Sequence, residues 1–244
     1  MMKIRTNSGV MAVLIISVLL LASFVFALPE GPTISGYSNS TKASVAGTAS
    51  TVNKGSINFL TLASISQNLR WKAYVGNVTG QLVLQDADGY NIYDWQISGT
   101  ISGTVIASRN SSINWNFLNC TNSTAMAEEH NSLSFAYNTV DNINTTFNAT
   151  NHTAFTINSK VLNGCRTAYP YQNSTKQAGN SSANPYQEIS IMDDSRRVGY
   201  ATRIEASPYS YKNDTREAFQ MILPDYGDTS ISTIVTYYFF VELT

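Results

Sequence analysis

Residues 69–109, LRWKAYVGNVTGQLVLQDADGYNIYDWQISGTISGTVIASR, decide the fold class, because no other stretch of the 244-residue chain carries so dense a β pattern. Within it, residues 81–85 (QLVLQ) form a short aliphatic run, followed by Asp86, Ala87, Asp88 and Gly89. Asp-Gly between apolar runs signals a hairpin, since both residues tolerate the positive φ angles of a tight turn. The returning run, YNIYDWQI, places Tyr93, Trp95 and Ile97 at period two. Side chains at that spacing share one face, so the run reads as a half-buried strand. Upstream, Trp71, Ala73 and Val75 alternate before Gly76-Asn77; downstream, Ile101, Gly103, Val105 and Ala107 alternate up to Arg109. The stretch thus predicts four consecutive strands paired mainly as antiparallel neighbours. Trp71, Tyr93 and Trp95 read first as core, because one aromatic buries a large apolar area. Trp71 and Trp95 are also the candidates for a ligand-facing, sugar-stacking platform.

Beyond Arg109 the pattern breaks. Residues 110–122 form a loop carrying Trp115 and Cys120. Ser123 or Thr124 is placed to N-cap a short helix through Ala125, Met126, Glu128, Glu129 and Leu133, with acidic residues in its first turns. Residues 134–153 are mixed and dense in sequons, consistent with a second short helix. AFTINSKVL (154–162) reads as a strand delivering Cys165, and 166–185 as a polar loop. QEISIMD and RRVGYATRIEA flank Asp194-Ser195 as a second hairpin, and EAFQMILP and STIVTYYFFVEL follow as strands. The last is so apolar that it is expected in the middle of a sheet. Nine or ten strands are expected, and βαβ alternation is missing. The architecture is therefore read as mainly β: an antiparallel β-sandwich, Ig-like in the loose sense, with one or two short inserted helices and a preceding N-terminal hydrophobic helix.

Composition bounds the setting. Only 13% of residues are charged and the formal net charge is −1, which speaks against nucleic acid or a charge-driven partner. Ser, Thr and Asn number 29, 25 and 24. The N-x-[ST] sequon occurs at Asn39, Asn77, Asn110, Asn119, Asn122, Asn144, Asn148, Asn151, Asn173, Asn180 and Asn213. Eleven sites exceed the chance expectation of about five for this composition. Sequons are used only on an exocytoplasmic route. Cys120 and Cys165 are the two cysteines. In an exported chain such a pair suggests a disulfide, the alternative being two buried thiols.

The N-terminus adds to this. Lys3 and Arg5 precede an apolar run, 10–27, broken by Ser17 and Ser23 and ended by Pro29 and Glu30. Charge, apolar run and Val25-Phe26-Ala27 fit a signal peptide cleaved before Leu28. The run is also just long enough to span a membrane, so an uncleaved anchor is a second reading. Cleavage after Gly9 is a third, resembling a type IV pilin leader, although archaeal versions usually carry Lys or Arg where this chain has Ser8. Residues 1–27 are thus a signal peptide or membrane anchor, 28–55 a Ser/Thr/Gly-rich stalk, and 56–244 the extracellular β domain, opening with SINFLTLASIS.

A search for chemistry yields little. His130 follows Glu128 and Glu129 on the expected short helix, where a solvated face is the plain reading; His152 lies inside the Asn151 sequon, which argues for an exposed loop. No H-E-x-x-H, G-x-S-x-G or C-x-x-C occurs. Asp86, Asp88 and Asn91 resemble part of a calcium loop, but Gly89 stands where a ligand is needed and the liganding Glu is missing. Asp193-Asp194 falls in the second hairpin turn, where Asp commonly bonds local amides. No catalytic residue, cofactor or metal site is therefore assigned.

RWKAYVGNVTG (70–80), DADGYNIYDW (86–95), VIASRNSSINW (105–115), DNINTTFNATNHTAF (141–155) and TYYFFVEL (236–243) together resemble a group of uncharacterised secreted, cell-surface, β-rich archaeal proteins. The resemblance implies export and a shared β-rich domain, and it implies no activity. The reading that follows is an exported, N-glycosylated surface protein, structural or adhesive rather than enzymatic. Its expected partners are other surface proteins, glycans or copies of itself, and the membrane if residues 10–27 are retained. A pilin-like filament subunit and a secreted carbohydrate-binding module or glycan-active hydrolase are the alternatives.

Overall fold

A computed structural model describes residues 28–43, 46, 54, 66–95, 101–205, 212 and 216–244. The leader readings, residues 56–65 of the segment SINFLTLASIS, Ile97 and Asn213 lie outside the described residues. In chain order the strands are β1 (Trp71–Gly76), β2 (Leu82–Gln85), β3 (Asn91–Trp95), β4 (Gly103–Ser108), β5 (Asn119–Cys120) and β6 (Phe155–Ile157). They continue as β7 (Lys160–Leu162), β8 (Thr167–Ala168), β9 (Glu188–Met192), β10 (Val198–Ile204), β11 (Phe219–Pro224) and β12 (Tyr238–Leu243). Helix α1 (Ser123–Ser132) and the single turn α2 (Ile143–Thr146) fall between β5 and β6. The protein is mainly β, with every paired strand antiparallel.

The main sheet has six strands in the order β12-β4-β10-β9-β5, with β8 also on β9. Its side chains alternate between two cores, as the strand period requires. Val105, Ala107, Val198 and Tyr200 point to one core, where α1, α2 and the β1–β11 pair contribute Met126, Ile143, Met221 and Leu223. Ile106, Ala201, Ile189 and Ile191 point to the other. There the β6–β7 hairpin and Leu118 cover them through Phe155, Ile157 and Leu162. A sheet covered on both faces reads as a continuous apolar run, which is why β4 is buried along nearly its whole length. Cys120 and Cys165 are joined in a disulfide that ties β5, opposite Ile191 of β9, to the chain just before β8.

Four local expectations change. The 69–109 stretch is not one meander: β2 pairs β3, but β1 pairs β11 and β4 pairs β10 and β12. Arg70 explains the position of β1. Its Nε donates to the Gly227 carbonyl at 2.6 Å and its Nη1 to Asp141 at 2.8 Å, while Asp225 N donates to the Arg70 carbonyl at 2.7 Å. At Gly227 the backbone crosses α1's end so closely that a Cβ would sit 2.4 Å from Phe135 Cα, leaving space only for glycine. The 154–162 strand is the β6–β7 hairpin, turning at Asn158 and Ser159 with φ of 45° and 63°, the pair of positive values a two-residue turn needs. β12 is an edge strand, not a central one; Glu30 bridges Val241 on its outer side, with 2.9 and 2.7 Å hydrogen bonds. Helix α1 is capped by Asn122, whose Oδ1 accepts from Ala125 N at 2.8 Å, rather than by Ser123 or Thr124.

Candidate functional site

The β2–β3 hairpin forms as its turn chemistry dictates. Asp86 Oδ1 accepts from Asp88 N at 3.0 Å and Tyr90 N at 2.8 Å, and Gly89 takes φ +87°. These bonds engage one oxygen of the carboxylate in the turn itself, and Asn91 Oδ1 accepts from Gln85 Nε2 at 2.8 Å. Leu82 lies opposite Trp95 and Leu84 opposite Tyr93, so four large apolar side chains share one face. That face is not half-buried as its alternation suggests: Tyr93 is 59% and Trp95 51% exposed, their rings edge to face at 5.0 Å. The hairpin pairs with no other described strand, and Leu82 and Leu84 on the same face are 37% and 51% exposed. Residues 81–95 carry three aspartates and neither Lys nor Arg. Trp71, by contrast, is half-buried against Phe135 and Phe147, and its indole N–H donates to the Asp141 carbonyl at 2.7 Å.

A second feature is a cleft of about 600 Å³ over the outer end of β1. One wall is residues 225–237, the irregular segment between β11 and β12. The other includes Tyr37, from an exposed strap (residues 30–42) held at Glu30 by β12 and at Lys42 by a 2.8 Å bond from its N to Gln67 Oε1. On the floor, Lys72 Nζ meets Asp225 Oδ2 at 2.9 Å and the Val235 carbonyl at 3.1 Å. Burial raises the Tyr74 phenol above its ordinary value, and the neighbouring Tyr37 phenol and Asp225 carboxylate add to the shift. Nothing local in the sequence marks this site, because its groups come from three segments joined only by the fold.

Both histidines are placed differently from expectation. His130 is 0% exposed, because Ala125, Met126, Glu129 and His130 form the buried stripe of α1. Tyr137 stacks on its ring at 4.0 Å, and burial lowers its pKa below the usual 6.5. His152 is also buried. Its Nε2 accepts from Cys165 N at 2.9 Å and its Nδ1 lies 2.8 Å from the Thr153 carbonyl, an arrangement that fits a neutral ring protonated at Nδ1. It serves as a brace beside the disulfide.

Of the eleven sequon asparagines, ten are described; nine of these are exposed and Asn144 is half-buried. Asp193 is buried, its carboxylate accepting from the amides of Ser195, Arg197 and Asn114 at 2.9, 3.0 and 3.1 Å and from Arg197 Nε at 2.6 Å. Its lone pairs are thus spent on the β9–β10 turn and on the Asn114 amide of a distant loop. Among the described residues, no group of three His, Cys, Asp or Glu side chains is placed to hold a metal ion, and no helix is long and apolar enough to cross a membrane. Comparison of the chain with protein families, curated proteins and solved structures finds no match.

Proposed function

We propose that this is an exported, N-glycosylated cell-surface protein of the archaeal group it resembles, with a structural or adhesive role and no catalytic one. The observation that carries the reading is the exposed apolar face of β2–β3, which Leu82, Leu84, Tyr93 and Trp95 share. An isolated two-stranded ribbon is marginal in water, and an exposed edge is a template for another chain. A second copy of the protein is the partner that fits best: two hairpins side by side make a four-stranded ribbon with one continuous apolar face. The exposed sequon asparagines and the disulfide support an exocytoplasmic setting. The architecture is read as sandwich-like in the loose Ig sense, with the β1–β11 pair as the second layer over the main sheet.

The mature N-terminus and glycopeptides from the native host, determined by mass spectrometry, test the setting. A start at Leu28 with occupied sequons supports release to the surface; a start at Val10 turns the reading to a pilin-like subunit. An intact N-terminus means a tethered domain, and unmodified sequons on an intracellular chain defeat the proposal. Self-association of the purified protein, weakened by Trp95→Ser together with Tyr93→Ser, tests the adhesive face.

A further inference from the structure

The cleft above β1 has the makings of a binding site separate from the hairpin. Its volume of about 600 Å³ lies within the roughly 300–1,000 Å³ of small-molecule sites. Its ionic groups are one ammonium, Lys72, against two carboxylates, Asp225 and Asp228, a balance that repels phosphates, sulfates and acidic sugars. A wholly apolar ligand would strip water from the Lys72–Asp225 pair and from the hydroxyls of Thr229, Ser232 and Thr233 without replacing its hydrogen bonds, which is costly. Tyr37 is 82% exposed at the rim, a flat ring available to an incoming face.

A neutral polyhydroxyl compound satisfies all of these at once. The polarised C–H bonds on one face of a sugar ring meet the electron-rich face of an aromatic ring, while its hydroxyls donate to carboxylates and carbonyls and accept from Lys and Ser/Thr. We infer that the cleft between Tyr37 and residues 225–237 binds a short neutral oligosaccharide, stacked on Tyr37 and hydrogen-bonded through Lys72, Asp225 and Asp228. The inference rests on the exported reading only for where such glycans are met. Binding itself is a property of the purified chain, so each idea can fail while the other stands.

The test is calorimetric and NMR titration of the full chain with short neutral gluco-, manno- and galacto-oligosaccharides and with uronic-acid oligomers as charged controls. The expected result is saturable binding of at least one neutral series, weakened about tenfold by Tyr37→Ala. Tyr37→Ala should leave the unfolding midpoint unchanged, since the side chain is exposed. Asp228→Asn, also at an exposed position, should weaken binding as well, and Trp95→Ala should not. Three results would each overturn the proposal: no binding of a neutral series at millimolar concentration, preference for the uronic-acid series, or binding that survives Tyr37→Ala and is lost in Trp95→Ala.

Discussion

The β2–β3 and β9–β10 hairpins begin from similar sequence and end in opposite environments. Each joins two apolar runs through a turn in which an aspartate accepts backbone amides. β9 and β10 lie inside the main sheet with both faces covered; β2 and β3 pair with no other described strand and leave Tyr93 and Trp95 about half exposed. The two aspartates differ as their hairpins do. Asp86 holds only its own turn, whereas Asp193 also accepts from Asn114, well before it in the chain, and from Arg197's side chain. Turn chemistry specifies that a hairpin forms. Where it goes is set by which other segments offer it neighbours and a cover.

The contrast can be broken most severely at the disulfide, which ties β5 to the chain just before β8. Replacing Cys120 and Cys165 together by Ser frees a separation of 45 residues and should cost about 4 kcal/mol in denaturant unfolding. The exposed hairpin's near-ultraviolet signal from Tyr93 and Trp95 should be unaffected at low denaturant. Next comes Asp193→Ala, which removes the buried acceptor of three part-buried amides and of Arg197 and should cost about 3 kcal/mol. Asp86→Ala, at an exposed turn, should cost about 1 kcal/mol or less by the same measurement. A comparable loss at both aspartates would erase the distinction drawn between the hairpins.

A smaller effect is expected from pH. Burial pushes the Asp193 carboxyl up, but the bonds from Asn114 and Arg197 outweigh it and hold the pKa below 3.8. Its stabilising contribution is therefore full above that value and lost as pH falls through the folded-state pKa. Glu188 on β9 runs the other way. It is fully buried, with Oε2 accepting from Ile222 N at 2.7 Å, and burial raises its pKa well above 4.5. It favours the fold at low pH and costs stability as pH rises above 4.5 toward its folded value. Glu188→Gln should thus raise the melting temperature at alkaline pH and flatten its decline; a steeper decline would contradict the assignment. The smallest effect is Ile92→Ser, 75% exposed in β3, expected to shift stability by no more than about 0.5 kcal/mol.

The sequence was most legible where its signals are local. Both Asp turns and most strands were readable, because period-two alternation and turn residues act over a few positions. The helix after residue 122 was readable as an element, but its buried face was not: a stripe containing Glu129 and His130 looks polar until Arg109 and Tyr137 meet it. Partner choice was not legible. β1 is drawn to β11 by Arg70, Asp141 and Gly227, residues far apart in the chain whose contact no local pattern announces. Exposure failed for the same reason, since the alternation of Tyr93 and Trp95 is equally compatible with a covered and an uncovered face. The cleft was missed entirely, because Tyr37, Lys72 and Asp225 carry meaning only together.

The strand order carries a consequence for how the molecule is made. β4 lies between β10 and β12, and even the Ser108–Val198 contact spans 90 residues. During synthesis β4 leaves the ribosome long before either flanking strand exists, and α1, α2 and the β6–β7 hairpin, which cover its two apolar faces, also follow it in the chain. Such long-range pairing slows folding. The export proposed above requires passage in an extended state, and a sheet that stays open until β12 is made meets that requirement.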